Sequence, residues 1–234
     1  MSIIVLCPTR GRGFKAVNAT NNSFYDTKTL DTTRLVFIVD RDDASWDNDS
    51  EYDHDVVYYA RKTLPRNIVA ATNEAWEYYK DDADIFGFIG DDNRFRSTGW
   101  DEKFESALGN GGVGYGDDGV HGPNLPTSWW VTSDILRRLG WFCNPALRHF
   151  FLDNTWLELG KSTNSLHYIP DVLIEHLHFS FGKSELDDTY RHTMEVGAGD
   201  DARFKNWLTS SEFDKNVNHI LRALGERSGI VYTT

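Results

Sequence analysis

Cysteine is scarce in this chain: Cys7 and Cys143 are the only two among 234 residues. A disulfide-stapled secreted fold needs more, and Cys7 sits inside an apolar run, where a buried thiol is the expected state. Long apolar runs are missing as well, and none approaches the length that spans a bilayer. The opening MSIIVLCPTRGR has no basic lead, and its apolar stretch is too short for a signal peptide. The expectation from these absences is a cytoplasmic protein with no membrane partner. Positive charge is also in short supply, with 24 Lys and Arg against 36 Asp and Glu and a net charge of −12. That disfavours a protein that grips nucleic acid mainly through phosphates, which takes a broad basic surface. Neither an internal repeat nor a low-complexity linker is present. The length suits one large domain, or one domain with an appendage.

What is present in the first half is an alternation of strand and helix patterns. IIVLC (3–7), RLVFIVD (34–40) and IFGFI (85–89) are continuous apolar runs, as expected of strands covered on both faces. GFKAVNATNNSFYD, after the first run, reads as a helix. So does RNIVAATNEAWEYY, where Ile68, Ala71, Ala75, Trp76 and Tyr79 recur at helical spacing and Pro65 suits a first turn. The alternation predicts an α/β domain with a mostly parallel sheet flanked by helices.

In such sheets ligands bind beyond the carboxyl ends of the strands. Pro8-Thr9-Arg10-Gly11-Arg12 follows the first run, Asp40 ends the second, and Asp91-Asp92 follows the third. Two guanidinium groups and several carboxylates on one rim suit an anionic, hydroxyl-bearing ligand with a hard divalent cation. An acidic pair after a strand is also the ordinary composition of a solvated turn, and both readings of Asp91-Asp92 stand. The acidic stretch DRDDASWDNDSEYDHD (40–55) reads as a solvated loop. GYGDDG (114–119) spells G-x-G-x-x-G, yet Asp117-Asp118 would repel a pyrophosphate and Gly122-Pro123 stands where a helix should begin. A glycine-rich loop is expected there.

PTRGR after the first strand, VDRDD ending the second and GDDNRF after the third resemble the nucleotide-binding half of GT-A-fold glycosyltransferases of the family 2 type. The small stand-alone, phage-type branch is the nearest match. GWD (99–101), SWWVTSDILRRLG (128–140), FLDNTWLELG (151–160) and IEHLHFSFGK (174–183) carry the resemblance over roughly four-fifths of the chain. It implies a GT-A-like catalytic domain over residues 1–185, divided into a nucleotide-binding half (1–100) and an acceptor half (101–185), with a C-terminal helical extension over 186–234. For a phage-encoded protein the compartment would be the host cytoplasm.

The resemblance also implies a residue-by-residue site. Pro8, Thr9, Arg10 and Arg12 would lie near a nucleotide-sugar donor, Asp40 on its base or ribose, Asp91 toward the ribose, and Lys183 at the diphosphate. Asp92 and His178 would hold Mn²⁺ (or Mg²⁺), an imidazole among oxygen ligands favouring Mn²⁺. The usual D-x-D is replaced here by Gly90-Asp91-Asp92-Asn93, which leaves the division of labour within the pair open. His176 shares a strand face with His178 and is assigned packing or support. Lys183 and Arg191 also read as surface cations.

Asp153 occupies the place of the carboxylate that deprotonates an acceptor hydroxyl, and it is also a favoured N-cap for DNTWLELG. Glu158 is the fallback base. Trp129 and Trp130 are read with equal weight as an acceptor platform or as core. SEFDKNVNHILRALG places Phe213, Val217, Ile220, Leu221 and Leu224 on one helical face, capped by Ser211. That helix either packs on the domain or pairs with a second subunit in a homodimer.

The leading expectation is a metal-dependent glycosyltransferase that moves a sugar, UDP-linked by preference, to a hydroxyl acceptor with inversion. Three acceptor classes stay open: a glycan, a protein and a modified DNA base. The alternatives are a nucleotidyltransferase that builds sugar nucleotides and a non-catalytic carbohydrate- or protein-binding module.

Overall fold

The first apolar run becomes β1 (Ile3–Thr9), buried along nearly its whole length. The computed structural model describes residues 1–40, 42–46, 57–61, 67–177 and 195–229. β1 lies between two parallel neighbours, β2 (Thr33–Asp40) and β4 (Ile85–Phe88), with Leu6 opposite both Val36 and Phe88. β3 (Val57–Arg61) continues the parallel group beyond β2. The sequence does not announce it, because VYYAR is short, tyrosine-rich and set behind the acidic loop.

Beyond β4 come β7 (Trp129–Thr132), β6 (Val113–Asp117), β8 (Leu166–His176) and β5 (Asn93–Phe95). The full order is β3-β2-β1-β4-β7-β6-β8-β5. β7 is antiparallel to β4 and β6, β6 is parallel to β8, and β5 is antiparallel to β8. The fold is therefore α/β with a mostly parallel sheet, as the alternation of patterns implied.

The two expected helices of the first half are α1 (Gly13–Thr27) and α2 (Ile68–Tyr79). Asn67 caps α2, its side chain accepting from the Ala70 amide at 2.8 Å. Pro65 lies outside the described residues. Side chains alternate across a strand, so Ile4 and Leu6 join the core layer under α2 while Ile3, Val5 and Cys7 join the other. That second layer is closed by Phe24 of α1 and by Trp100 and Phe104 of α3 (Trp100–Ala107). Cys7 and Cys143 are both buried free thiols.

The same alternation decides the tryptophan pair. Trp129 stacks on Phe88 at 4.1 Å in one layer, and Trp130 stacks on Phe104 at 4.0 Å in the other. They are 1% and 0% exposed, each packed ring on ring within a core layer. The platform reading is corrected here, because adjacent residues on a central strand serve opposite buried layers. Gly87, opposite Trp130, makes the room: a methyl group there would lie 2.4 Å from the indole Nε1.

A second correction concerns GYGDDG. Its first residues are the buried strand β6 rather than a loop, and Gly116 admits the backbone of β8. A Cβ at Gly116 would stand 2.3 Å from the Val172 carbonyl oxygen. Close approach of two backbones, one of the ordinary uses of a strand glycine, accounts for it.

The second half adds α4 (Ser133–Leu139), α5 (Leu152–Ser162), α6 (Asp200–Leu208) and α7 (Ser211–Arg227). Gly140 ends α4 in the left-handed conformation, φ 77°, as its C-cap. α7 packs on α4 and adds Ile220 and Ala223 to the core layer under α2. Its cap is Ser210 rather than Ser211, accepting from the Phe213 amide. Leu221 turns off the apolar face and is exposed. No helix among the described residues is long and apolar enough to cross a membrane.

Gly116→Ala should cost about 1–3 kcal/mol, since backbone rather than a flexible side chain must yield. At Gly109 the nearest atom to an added Cβ is an ordinary 3.5 Å away. Gly109→Ala should therefore stay within about 0.5 kcal/mol of wild type. Denaturant midpoints of both variants check the contrast.

Candidate functional site

The carboxyl ends of β1, β2 and β4 open into a cavity of about 640 Å³. Its lining includes Pro8, Thr9, Arg10, Arg12, Asp40, Gly90, Asp91, Asp92 and Asn93 at and beyond the strand ends. The start of α2 adds Asn67 and Ile68, and later segments bring Thr127, Trp129, His149, Phe150, Phe151, Asp153, His176 and Val196. The residues expected at the strand ends are thus gathered with Asp153. Trp130 is not at the cavity. His178, Lys183 and Arg191 lie outside the described residues.

Asp91 and Asp92 form a turn, as the plain reading of an acidic pair has it, and both also line the cavity. They do different work. Asp91 accepts from Thr9 Oγ1 at 2.7 Å and from the Arg12 guanidinium, while its carbonyl accepts from Thr20 Oγ1 at 2.7 Å. Burial is the largest influence on its carboxyl and raises the pKa, against the pull of Arg12. Asp92 instead lies 3.5 Å, Oδ2 to Nε2, from His176. Burial alone would lower the His176 pKa, but the neighbouring Asp92, Asp118 and Asp153 outweigh it and raise the imidazole above its ordinary value. His176, assigned only support from the sequence, is the described histidine on the acidic pair.

Arg10 donates from Nη1 to Asp40 at 2.5 Å and to Asp42 at 3.1 Å. The acidic stretch after β2 is not simply solvated. Asp43 is 7% exposed, accepts from the Gly11 amide at 2.7 Å and from Ser45 Oγ at 2.6 Å, and so fixes the loop that carries Arg10 and Arg12. Residues 41 and 47–55 of that stretch lie outside the described residues.

Asp153 sits in the first turn of α5 but is not its cap. That position falls to Phe151, in the left-handed conformation at φ 65°. The Asp153 carboxylate accepts from the Asn154 amide at 2.8 Å. Burial pushes its pKa up, opposed by the Asn154 amide and by His121 and His176. A carboxylate with raised basicity is suited to taking a proton. Glu158 faces away, 3.7 Å from Lys161 Nζ, and does not line the cavity.

Asp118 belongs to the GYGDDG segment expected to be a glycine-rich loop. It is 2% exposed and accepts from the amides of Val120 and His121, from His121 Nδ1 at 2.7 Å and from Thr127 Oγ1 at 2.9 Å. Burial would raise its pKa, but these bonds hold it below the usual carboxylate range. The D-D-G-V-H spacing was the available signal, an Asx turn closed by a histidine. Among the described residues, no group of three or more His, Cys, Asp or Glu side chains is placed to hold a metal ion by itself.

Comparison with solved structures decides the fold family. The crystal structure of S. aureus TarS 1-349 superposes with a TM-score of 0.56 at 13% identity, over 99% of this chain and 83% of that one. The same fragment in complex with UDP-GlcNAc gives 0.57 at 12% identity, over 97% and 73%. The fold is GT-A-like. Against the longer S. aureus TarS structure the chain spans 49% of the length. The 4-diphosphocytidyl-2C-methyl-D-erythritol synthase of Anaerococcus prevotii DSM 20548 shares the GT-A-like sheet more loosely, at a TM-score of 0.51 and 13% identity over 84% of this chain and 97% of that one. No protein-family model and no curated protein matches the sequence.

The raised pKa of Asp153 has a consequence for stability. A carboxyl that holds its proton more tightly when folded loses stability as pH rises from the unfolded value through the folded one, and the loss persists above it. Asp153→Asn cannot ionise, so it should match or exceed wild-type stability at neutral pH and lose its share of that decline. Asp91 shifts in the same direction and keeps a residual slope in both proteins. Denaturation midpoints of the two proteins between acid and neutral pH measure the difference.

Proposed function

We propose that this protein is a nucleotide-sugar-dependent glycosyltransferase that transfers a sugar to a hydroxyl acceptor with Asp153 as base. One observation carries the reading: the strand-end residues suited to a nucleotide and the basic carboxylate of Asp153 line the same cavity. UDP is the favoured carrier, in keeping with the UDP-GlcNAc bound by the TarS fragment.

On this reading Arg10 and Asp40 meet the base and ribose, and Asp91 is spent on holding Arg12 and Thr9 in place. Asp92 and His176 offer a carboxylate oxygen and an imidazole nitrogen close together, a donor set that would suit Mn²⁺. His178, two residues on, is a further candidate ligand. Such a cation would stabilise the charge that grows on a departing nucleoside diphosphate. Asp153 takes the proton from the acceptor hydroxyl, whose oxygen displaces the nucleoside diphosphate directly and so inverts the anomeric centre.

The likeness to the A. prevotii synthase keeps a nucleotidyltransferase as the second reading. Pro8 and Thr9 stand where that chemistry places glycines, which weighs against it. Incubation with UTP and a sugar 1-phosphate separates the two, since pyrophosphate release would establish the second.

Asp92→Ala should fold normally and lose the Mn²⁺ enhancement of UDP-sugar binding. Calorimetry with and without Mn²⁺ measures this, and metal-enhanced binding by the variant would return the pair to a plain turn. Asp153→Asn should bind UDP-sugar as wild type does and transfer about 10²–10⁴-fold more slowly. Transfer at the wild-type rate would remove Asp153 from the chemistry.

A further inference from the structure

Among the described residues the exposed large hydrophobic side chains are Tyr25, Tyr78, Val120, Phe150 and Leu221. Of these, Phe150 lines the cavity. It is 38% exposed, although the segment that carries it is held with unusual firmness. Asp200, 0% exposed, accepts from the backbone amides of Arg148 at 3.2 Å, His149 at 2.8 Å and Phe150 at 2.9 Å. Arg203 Nη1, 2.7 Å away, balances the charge. A buried carboxylate bound to three consecutive amides is a costly way to shape an ordinary surface turn.

The neighbouring residues send the ring outward. Phe151 adopts φ 65°, strained for a residue with a side chain, and its ring goes inward to stack on Phe204 at 5.2 Å and 16°. Phe150 is thereby left at the cavity, seated on Gly197, where an added methyl group would lie 2.2 Å from its Cδ2. His149 stands edge-on to it at 5.1 Å and 78°, a polar ring beside an apolar one. Asp153 follows three residues later in the first turn of α5.

We propose that Phe150 is the platform on which a sugar ring of the acceptor stacks, so that the acceptor of this enzyme is a carbohydrate. The inference rests on the glycosyltransferase reading and adds the substrate class. A pyranose presents an apolar C–H face to an aromatic ring and hydroxyls at its edge, which suits Phe150 flanked by His149. The acceptor rather than the donor's base is assigned to Phe150, because it shares its segment with Asp153, whereas Arg10 and Asp40, assigned to the base and ribose, lie at the β1 and β2 ends. A ring stacked there would present a hydroxyl toward the carboxylate that deprotonates it. Asp200 and Gly197 are positioning residues: one fixes the loop, and the other seats the ring.

The test is an array of immobilised mono- and oligosaccharides, probed with the labelled full chain saturated with UDP. Wild type should be retained on a subset of carbohydrates. Phe150→Ala should cut retention about tenfold or more, and Phe150→Trp should keep it. Gly197→Ala, which displaces the ring without removing it, should resemble Phe150→Ala. UDP affinity by calorimetry should be equal in all four proteins, which also reports that each is folded. Retention of wild type on no carbohydrate, or equal retention of Phe150→Ala, would overturn the platform. Failure of wild type to bind UDP would overturn the donor reading instead.

Discussion

The carboxylate of Asp91 ties together three segments distant in sequence. It follows β4, accepts from Thr9 at the end of β1, pairs with Arg12 at the start of α1, and receives Thr20 of that helix on its carbonyl. Burying a carboxylate this deeply is unfavourable unless its lone pairs are met and a counter-charge stands close. Thr9 and Arg12 do both. With Asp91 committed inward, Asp92 is left beside His176 at the cavity. The two halves of an acidic pair are thereby assigned different roles by one ion pair.

Buried carboxylates that gather amides recur through the molecule. Asp43 fixes the loop bearing the two arginines, Asp118 closes the turn before Thr127, and Asp200 holds the segment of Phe150. Asp101, 0% exposed, accepts from the amides of Thr29 and Leu30 and binds α3 to the turn after α1. Charge-assisted bonds to backbone are shorter and stronger than neutral ones. The acidity of the chain is therefore partly internal architecture. These anions gather backbone amides, with Arg203 added at Asp200 and His121 at Asp118, whereas Asp91 and Asp92 at the cavity face Arg12 and His176.

The C-terminal helices belong to this arrangement as much as the sheet does. α7 closes the core layer under α2, and α6 supplies Asp200 to a loop on the cavity wall. The helices after residue 195 thus pack on the residues before 186 through both sets of contacts. The left-handed Phe151 marks where the two parts are pressed together, stacked on Phe204 of α6.

Much of the first half was legible in the sequence because strands covered on both faces must be apolar throughout. IIVLC, RLVFIVD and IFGFI have no other economical reading, and polar residues just past such strands fall on the ligand edge of a parallel sheet. Hence Thr9, Arg10, Arg12, Asp40, Asp91 and Asp92 could be named in advance as residues of the ligand edge, while Asp153 was implied only by the family resemblance. β3 was missed because a short tyrosine-rich edge carries no apolar run. GYGDDG was misread because a glycine that admits a neighbouring backbone looks, in sequence, like one that admits a phosphate. The sequence by itself determined which residues could strand together and which could carry charge, since those follow from local pattern and side-chain chemistry. Only the tertiary structure decided which carboxylates are spent on amides, that Trp129 and Trp130 are core, and that Phe150 stands at the cavity, because burial and orientation are set by partners far away along the chain.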